Sequence, residues 1–206
     1  MKLEYLPHIV TLFAFSVSIL AYDHLAPEIP IHWGIDGRID YTASKGLGVY
    51  LNPGAMVLAY FFFWMITHID RPRVRRLREV GIYDALRDCA VSLFGYAQLL
   101  ALGIGLNWVS GDANFLIGAF STSIIVAVLH LRRPPHKNVL RLLRHLGITP
   151  SNRAADQLYR ILIVVGAAGV CGTLSGRAQI WWPLVPLVLG LFWTRRRFPS
   201  SASSST

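Results

Sequence analysis

Charged residues are scarce in this sequence. Charged residues make up 15% of its 206 residues, against about 25% in soluble domains. Hydrophobic residues make up 53%, the 17 glycines come in addition, and the mean hydropathy is +0.45. A soluble domain of this size has too little interior to bury so much apolar surface, and a disordered chain would be far more polar. The composition therefore predicts a multi-pass membrane protein.

Signatures of catalysis and of redox chemistry are also lacking. The sequence contains no H-E-x-x-H motif, no nucleophile elbow and no phosphate-binding glycine loop, so it gives no reason to expect an enzyme or a cofactor. Its two cysteines, Cys89 and Cys171, fall inside apolar runs at different depths. We expect them to be small buried residues that do not pair with each other.

Six apolar runs are present, and about 20 helical residues cross the ~30 Å hydrocarbon core of a bilayer. The sixth run is short, but tryptophans at one end and arginines at the other extend its reach. The predicted fold class is thus all-α, with six transmembrane helices and a small extracytoplasmic β-hairpin. The runs are Tyr5–Tyr22, Val49–Thr67, Cys89–Trp108, Asn114–Leu131, Leu158–Ser175 and Ile180–Thr194.

The distribution of basic residues predicts the orientation. If six helices alternate from a cytoplasmic N-terminus, all of the 20 Lys and Arg residues except Arg38, Lys45 and Arg177 lie on the cytoplasmic side. This is the pattern of the positive-inside rule. It places both termini in the cytoplasm and brings the basic loops to anionic lipid headgroups. Because topology accounts for the charge, we do not expect nucleic acid as a partner.

Polar residues within the runs are few. No Asp, Glu, Lys or Arg lies at the centre of a run, and His68, Asp88 and His130 fall at run ends. Since ion pathways normally need ionisable residues within the membrane, coupled transport is not favoured. A path for a weakly charged small solute remains an alternative. It would be lined by Gln98, Asn107 and Ser121–Ser123.

Small residues recur at helical spacing in two runs. They let helices approach one another closely, and we expect packing within the bundle, with a dimer interface as the alternative. The two faces consist of Ala97, Ala101 and Gly105 in the third run, and Ala168, Gly172 and Gly176 in the fifth.

Two cytoplasmic segments are basic. His136–Gly147 places its basic residues on one side of a helix and its leucines on the other, which is typical of an interfacial helix on the inner leaflet. Docking of a cytoplasmic regulator is the alternative. The segment Arg71–Arg78 is less regular and indicates a connector that faces headgroups. The tail, residues 200–206, is predicted to be disordered.

The loop Asp23–Gly48 is the only long outer loop. Apolar residues alternate over Ile29–Ile35, Asp36-Gly37 is a two-residue turn signal, and alternation resumes over Arg38–Thr42. This predicts a β-hairpin. Because a lone hairpin is marginal in water, its apolar face must pack on the mouth of the bundle or on the lipid interface, and Trp33 is expected to be an interfacial anchor.

Several roles are open for the polar residues of this loop. Ion pairs between Asp40 and Lys45, or between Asp36 and Arg38, would help to hold it. Ser44 or Asn52-Pro53 would begin the second helix. Two groups of residues contain the imidazole and carboxylate ligands that Zn²⁺ can bind, but their spacing is a weak signal. We interpret them as hydrogen-bonded loop residues and predict no metal. These groups are His32 with Asp36 and Asp40, and His24 with Glu28.

The same loop carries a string of residues at fixed spacing that resembles the signature of domain of unknown function 1648. The string is Leu25-x-Pro27-x-Ile29-Pro30-x-His32-Trp33-x-x-x-Gly37-x-x-Asp40-x-x-x-Ser44-Lys45. That domain lies at the N-terminus of SdpI-like bacterial membrane proteins. A second SdpI-like motif has only a degenerate counterpart here, in Gly147-Ile148-Thr149-Pro150 followed by Tyr159-Arg160.

The resemblance implies a protein of the bacterial cytoplasmic membrane that gives immunity to an external membrane-active peptide, in some cases coupled to signalling. Solute transport and the anchoring of a cytoplasmic regulator remain as alternatives. We expect a two-helix unit over residues 1–70 and a four-helix remainder over residues 71–199; membrane lipids are expected partners, and the oligomeric state stays open. The binding residues that the motif implies are Pro27, Pro30, His32, Trp33, Gly37, Asp40, Ser44 and Lys45.

Overall fold

The structure is a computed structural model, which describes residues 5–79, 81–111, 114–131 and 152–175. Within these residues the fold is mostly helical, with six α-helices, one short 3-10 helix at Tyr22–His24 and one antiparallel sheet of two strands. The helices are α1 (Leu6–Ala21), α2 (Lys45–Ile69), α3 (Arg71–Glu79), α4 (Ile82–Gly105), α5 (Phe115–Leu131) and α6 (Asn152–Leu174). The strands are β1 (Glu28–Trp33) and β2 (Ile39–Ser44).

Each of the first five predicted runs coincides with a helix, and the arginine-rich connector is helical as well, as α3. Two helices, α2 and α4, are long and apolar enough to cross a membrane, whereas α5 and the apolar part of α6 are shorter. The sixth run, the amphipathic segment His136–Gly147, the degenerate motif at Gly147–Pro150 and the tail lie outside the described residues.

Helix α4 is central to the described bundle. It packs against α1, α2, α3 and α5, and it also supports β1. On its far side α5 packs closely against α6, where a Cβ added to Gly166 would come within 2.5 Å of Ile125 Cγ1. Close helix packing was predicted for α6. The glycines of α6 that contact α5 are, however, Gly166 and Gly169, whereas the predicted face consisted of Ala168, Gly172 and Gly176.

Proline lies inside α2, and a neighbouring helix compensates for it. Pro53 has no N–H, so the carbonyl of Val49, one turn earlier, lacks its helical donor. The Gln98 side chain of α4 supplies that donor, because Nε2 lies 2.9 Å from Val49 O. The same Nε2 donates to Ser18 Oγ at 2.8 Å, and Gln98 Oε1 accepts from Asn52 Nδ2 at 3.3 Å. Gln98, which is fully buried, thereby joins α1, α2 and α4.

The beginning of α2 resolves the alternatives left by the sequence. The helix starts at Lys45, directly after β2, and continues through Asn52 and Pro53. Ser44 occupies the N-cap position, but its side chain makes no capping hydrogen bond. The strand therefore passes into the helix without a loop, which fixes the hairpin relative to the bundle.

The predicted hairpin is present, with small shifts in its bounds. Strand β1 pairs with β2 from Glu28 opposite Ser44 to Trp33 opposite Ile39, and the register is irregular between Pro30 and Trp33. Because Pro30 has no N–H to give to the ladder, an irregularity next to it is expected.

The turn of the hairpin is longer than predicted. The Gly37 N–H donates to Gly34 O at 2.9 Å, the Gly34 N–H donates to Arg38 O at 2.8 Å, and Gly37 has φ +78°. This makes a three-residue loop, Ile35–Gly37, that ends in a left-handed glycine. Such loops are the next most common hairpin connection after the two-residue turn.

Candidate functional site

We call residues 25–44 the hairpin cap. We call the end of the bundle that carries it the cap end, and the opposite end, where α3 lies, the arginine end. The two strands of the cap present two different faces. Ile29 and Trp33 of β1 are buried against the bundle, while Glu28 and His32 are exposed. The cap is therefore a two-sided element with an apolar base, as the alternation of the sequence predicted.

Trp33 is the central contact of this base. It is only 8% exposed and belongs to a buried cluster with residues of α4 and the following loop, among them Ala97, Ala101 and Val109. Its ring stacks on Phe115 at a centroid distance of 4.8 Å. The expectation that Trp33 is an interfacial anchor is thus corrected: small residues of α4 leave room for the indole, and packing there buries it more fully than an interface would.

The small-residue face of α4 has a role that the sequence did not reveal. Packing within the bundle was predicted for Ala97, Ala101 and Gly105, and the elements that pack there include the hairpin cap. Ala97 and Ala101 belong to a buried cluster that contains Trp33 of the cap together with side chains of α5 and α6. A Cβ added to Gly105 would lie 2.7 Å from Ile29 Cγ2, and the Gly105 carbonyl accepts the Ala26 N–H at 2.9 Å. This face of α4 therefore packs within the bundle, as predicted, and strand β1 is one of the elements that it contacts.

The turn of the cap rests on the beginning of α5. The Gly37 carbonyl accepts the Phe115 N–H at 2.9 Å, and Asn114 Nδ2 donates to Asp36 O at 3.0 Å. Asn114 Oδ1 accepts the N–H of Leu116 at 3.0 Å, which makes it the cap of α5. These bonds satisfy donors that a helix N-terminus otherwise leaves free. A side chain at position 37 would overlap Asn114.

The base of the cap is tied at the start of α2. The Lys45 N–H donates to Pro27 O at 2.8 Å. Lys45 Nζ lies 3.3 Å from Tyr22 O and 4.9 Å from the centre of the Tyr22 ring. Lys45 thus joins the ends of α1 and α2, and it does not form the ion pair with Asp40 that we considered.

The exposed face carries a row of polar pairs that link the two strands. His32 Nδ1 lies 2.7 Å from Asp40 Oδ1, with side chains 69% and 50% exposed. Thr42 Oγ1 donates to Glu28 Oε2 at 2.9 Å. Of the predicted ion pairs, Asp36 with Arg38 is present at 3.9 Å. The described residues contain no group of three metal-ligating side chains.

Apolar side chains accompany this polar row at the cap end. Tyr41 is 68% exposed and Ile35, in the turn, is 99% exposed. Beside the cap an apolar cleft of about 810 Å³ opens between α1 and α4, lined among the described residues by Val17, Leu20, Leu99, Leu102, Leu106 and Trp108. The cap end therefore offers polar and apolar surface side by side.

The eight motif residues separate into two groups. Four build the cap: Pro30 and Trp33 are buried, Gly37 forms the turn, and Lys45 joins two helices. The other four are exposed: Pro27, His32, Asp40 and Ser44. The motif thus describes how the cap is folded and seated, and only its second group leaves side chains accessible to a partner.

Sequence analysis missed a buried ionic group at the arginine end. Asp88 is 1% exposed, and its Oδ1 accepts Arg87 Nε at 2.8 Å. Its Oδ2 lies 3.2 Å from Nε2 of the buried His130, whose Nδ1 faces Val126 O at 3.2 Å. The available signal was the position of Asp88 and His130 at the ends of successive apolar runs. Alternating helices bring those ends to the same side.

The residues of the predicted solute path do not come together. Gln98 is bound within the bundle. Asn107 follows the end of α4 with φ +59°, where the Asn107 N–H bonds to Ile104 O at 2.9 Å. Ser121 lies on α5 beside α6 and donates to Ile117 O at 2.6 Å. Each of these residues satisfies a local structural need, so the observed geometry gives no support to that alternative.

The hairpin cap lies within a segment that matches a known protein family. Residues 9–57 match the family described as Domain of unknown function (DUF1648). This segment contains most of α1, the whole hairpin cap and the first half of α2. The match confirms the resemblance inferred from the motif.

The chain is also similar to a protein whose name states a function. It is 25% identical over 136 residues to the immunity protein SdpI of Bacillus subtilis (strain 168), an alignment that covers 57% of this chain and 65% of that protein. This chain thus spans less than two thirds of the relative's length. No solved structure matches this chain. The similarity to SdpI, together with the two membrane-capable helices, indicates a membrane protein.

Proposed function

We propose that this protein protects a bacterial cell against an external membrane-active peptide. The similarity to a protein named immunity protein SdpI supports a protective role. The hairpin cap is the surface that meets the peptide. Recruitment of a cytoplasmic regulator by His136–Gly147 stays a separate alternative prediction, and that segment lies outside the described residues.

The proposed topology places six helices across the cytoplasmic membrane, with both termini in the cytoplasm and the cap outside. Support comes from the separation of the cap from the arginines. Helix α2 has 25 residues, with the cap at its first residue and α3 just after its last. At ~1.5 Å per residue this is about 37 Å, which exceeds the ~30 Å hydrocarbon core.

One observation carries the proposal: the cap is held by backbone and packing contacts on α4, α5 and α2, while its polar row is left free. A surface that is held rigid before binding loses little entropy when a partner docks. An amphipathic peptide presents a polar and an apolar side. The His32–Asp40 pair would meet the first side, and Tyr41 with the neighbouring apolar cleft would meet the second.

In the test, the protein is expressed in a bacterial strain that is sensitive to membrane-active peptides, and survival is measured against a panel of such peptides. We expect protection against at least one peptide. The double variant His32→Ala with Tyr41→Ala is expected to abolish it, because both side chains are exposed and neither belongs to the buried clusters that hold the cap on the bundle.

The matched control is Arg38→Ala with Ile35→Ala, which removes one polar and one apolar exposed side chain from the turn. It is expected to keep most of the protection. Membrane levels of each variant are compared by immunoblot. If the protein protects against no peptide, or if both double variants protect as well as the parent, the proposal is wrong.

A further inference from the structure

The arginine end carries a strongly basic helix that the proposed immunity function does not use. Five of the nine residues of α3 are arginine. Three of them, Arg71, Arg75 and Arg78, are spaced four and three residues apart, so they share one face of the helix. The other two, Arg73 and Arg76, do not line the cleft that these three arginines border. Helix α3 therefore has a cationic face and not merely a high charge.

This face borders a cleft. A cavity of about 730 Å³ lies between the end of α2 and α3, and its described lining includes His68, Arg71, Arg75 and Arg78. The one carboxylate in the lining is Glu79, which lies 3.4 Å from Arg75 in an exposed pair. Exposed pairs of this kind are weak. The three guanidinium groups in the described lining therefore leave the cleft with a net positive charge. The cleft suits an anion.

An aromatic stripe leads from the cleft toward the middle of α2. The His68 ring lies 4.4 Å from the Trp64 ring, which in turn stacks on Phe61 at 5.5 Å. Trp64 and Phe61 are about half exposed. Exposed tryptophan at the end of an apolar helix is typical of the membrane interface. The surface thus changes along one line from apolar, through aromatic, to cationic.

We propose that this surface binds an anionic phospholipid, with the headgroup phosphate between Arg71 and Arg75 and an acyl chain along Phe61 and Trp64. The order of chemistry along the stripe matches the order within a phospholipid, from the acyl chain to the glycerol and then the phosphate. A guanidinium group presents several donors to a phosphate at once, which favours arginine at such a site. A soluble anion would make no use of the aromatic stripe.

The test uses the full chain in detergent micelles and counts bound lipid by native mass spectrometry during titration with phosphatidylglycerol. Phosphatidylcholine serves as the zwitterionic reference. The variant Arg71→Gln with Arg75→Gln is expected to weaken phosphatidylglycerol binding by about tenfold or more, since each basic residue near a headgroup contributes substantially. Binding of phosphatidylcholine is expected to stay unchanged.

The matched control is Arg73→Gln with Arg76→Gln, which removes the same charge from the same helix away from the cleft. It is expected to change the affinity by less than about threefold. Helical content by circular dichroism verifies that each variant is folded. An equal loss in both double variants, or no loss in either, overturns the proposal.

Glycerol phosphate distinguishes the lipid from a soluble source of phosphate. It is expected to leave the phosphatidylglycerol adduct intact, because it lacks the acyl chain. Displacement of the lipid by a similar concentration of glycerol phosphate would contradict a lipid site. Trp64→Ala supplies a second readout, and it is expected to weaken lipid binding without a change of charge; an unchanged affinity in that variant would also contradict the proposal.

Discussion

The two ends of the bundle are held together by different interactions. At the cap end, Trp33 packs in a buried cluster with residues of α4, Ile29 lies against Gly105, and the hairpin turn bonds through its backbone to the start of α5. At the arginine end, Asp88 joins Arg87 and His130 in a buried ionic group. Packing and backbone bonds hold a shape with little dependence on charge, whereas a buried ionic group depends on every partner that it contains.

This difference shows how the same protein can present charge in two ways. The charged side chains of the cap lie on its surface and are not needed to hold it, so they are free to contact a partner. The buried charges at the arginine end are needed within the bundle, whereas the outer arginines of α3 are exposed.

The largest effect is expected at the buried ionic group. Replacement Asp88→Ala leaves Arg87 and His130 without their carboxylate in a buried site, and it should lower the free energy of unfolding by about 3 kcal/mol. Thermal unfolding in detergent, followed by circular dichroism, measures the loss. The control is Asp84→Ala, one turn earlier, whose carboxylate lies 3.2 Å from Arg87 but is more exposed. A loss in the control as large as that in Asp88→Ala would show that burial is not the cause.

A smaller effect is expected at the turn of the cap. Replacement Gly37→Ala places a side chain in the left-handed region at φ +78°, where it also meets Asn114. The cap should be destabilised by about 2 kcal/mol. Limited proteolysis at the turn detects the loosened hairpin. The control, Gly46→Ala, adds a Cβ at an ordinary 3.7 Å from the Tyr22 hydroxyl and should leave cleavage unchanged. Equal protection of the Gly37 variant and the parent would contradict the role given to the turn.

The smallest effect is expected at the exposed ion pair of the cap. Replacement Asp40→Asn removes the charge beside His32, and the free energy of unfolding should change by less than about 1 kcal/mol. Raising the salt concentration should change the stability of the cap equally little, because the pair is already screened. Both are measured by the same thermal unfolding. A loss that approaches that of Gly37→Ala would mean that charge, and not packing, holds the cap.

Local patterns predicted the helices and the hairpin because they depend on neighbours in the chain. Apolar runs of helical length became α1, α2, α4, α5 and α6, and the alternation around Asp36-Gly37 became two strands. The turn was longer by one residue, since glycine fits the left-handed position of both loop types. The motif was also readable, because its spacing is a property of the sequence alone.

The partners of these elements were decided only by the tertiary structure. Spacing showed that Ala97, Ala101 and Gly105 share a face, but a face of small residues can pack against a helix or a strand, and only the structure shows that β1 is among its partners. Likewise Pro53 shows in the sequence that one helical N–H donor is missing, but the sequence does not show that Gln98 replaces it. Asp88 and His130 lie far apart in the chain, and no periodicity links them. Contacts between distant segments depend on how complete surfaces fit together, and that information is not contained in any one stretch of residues.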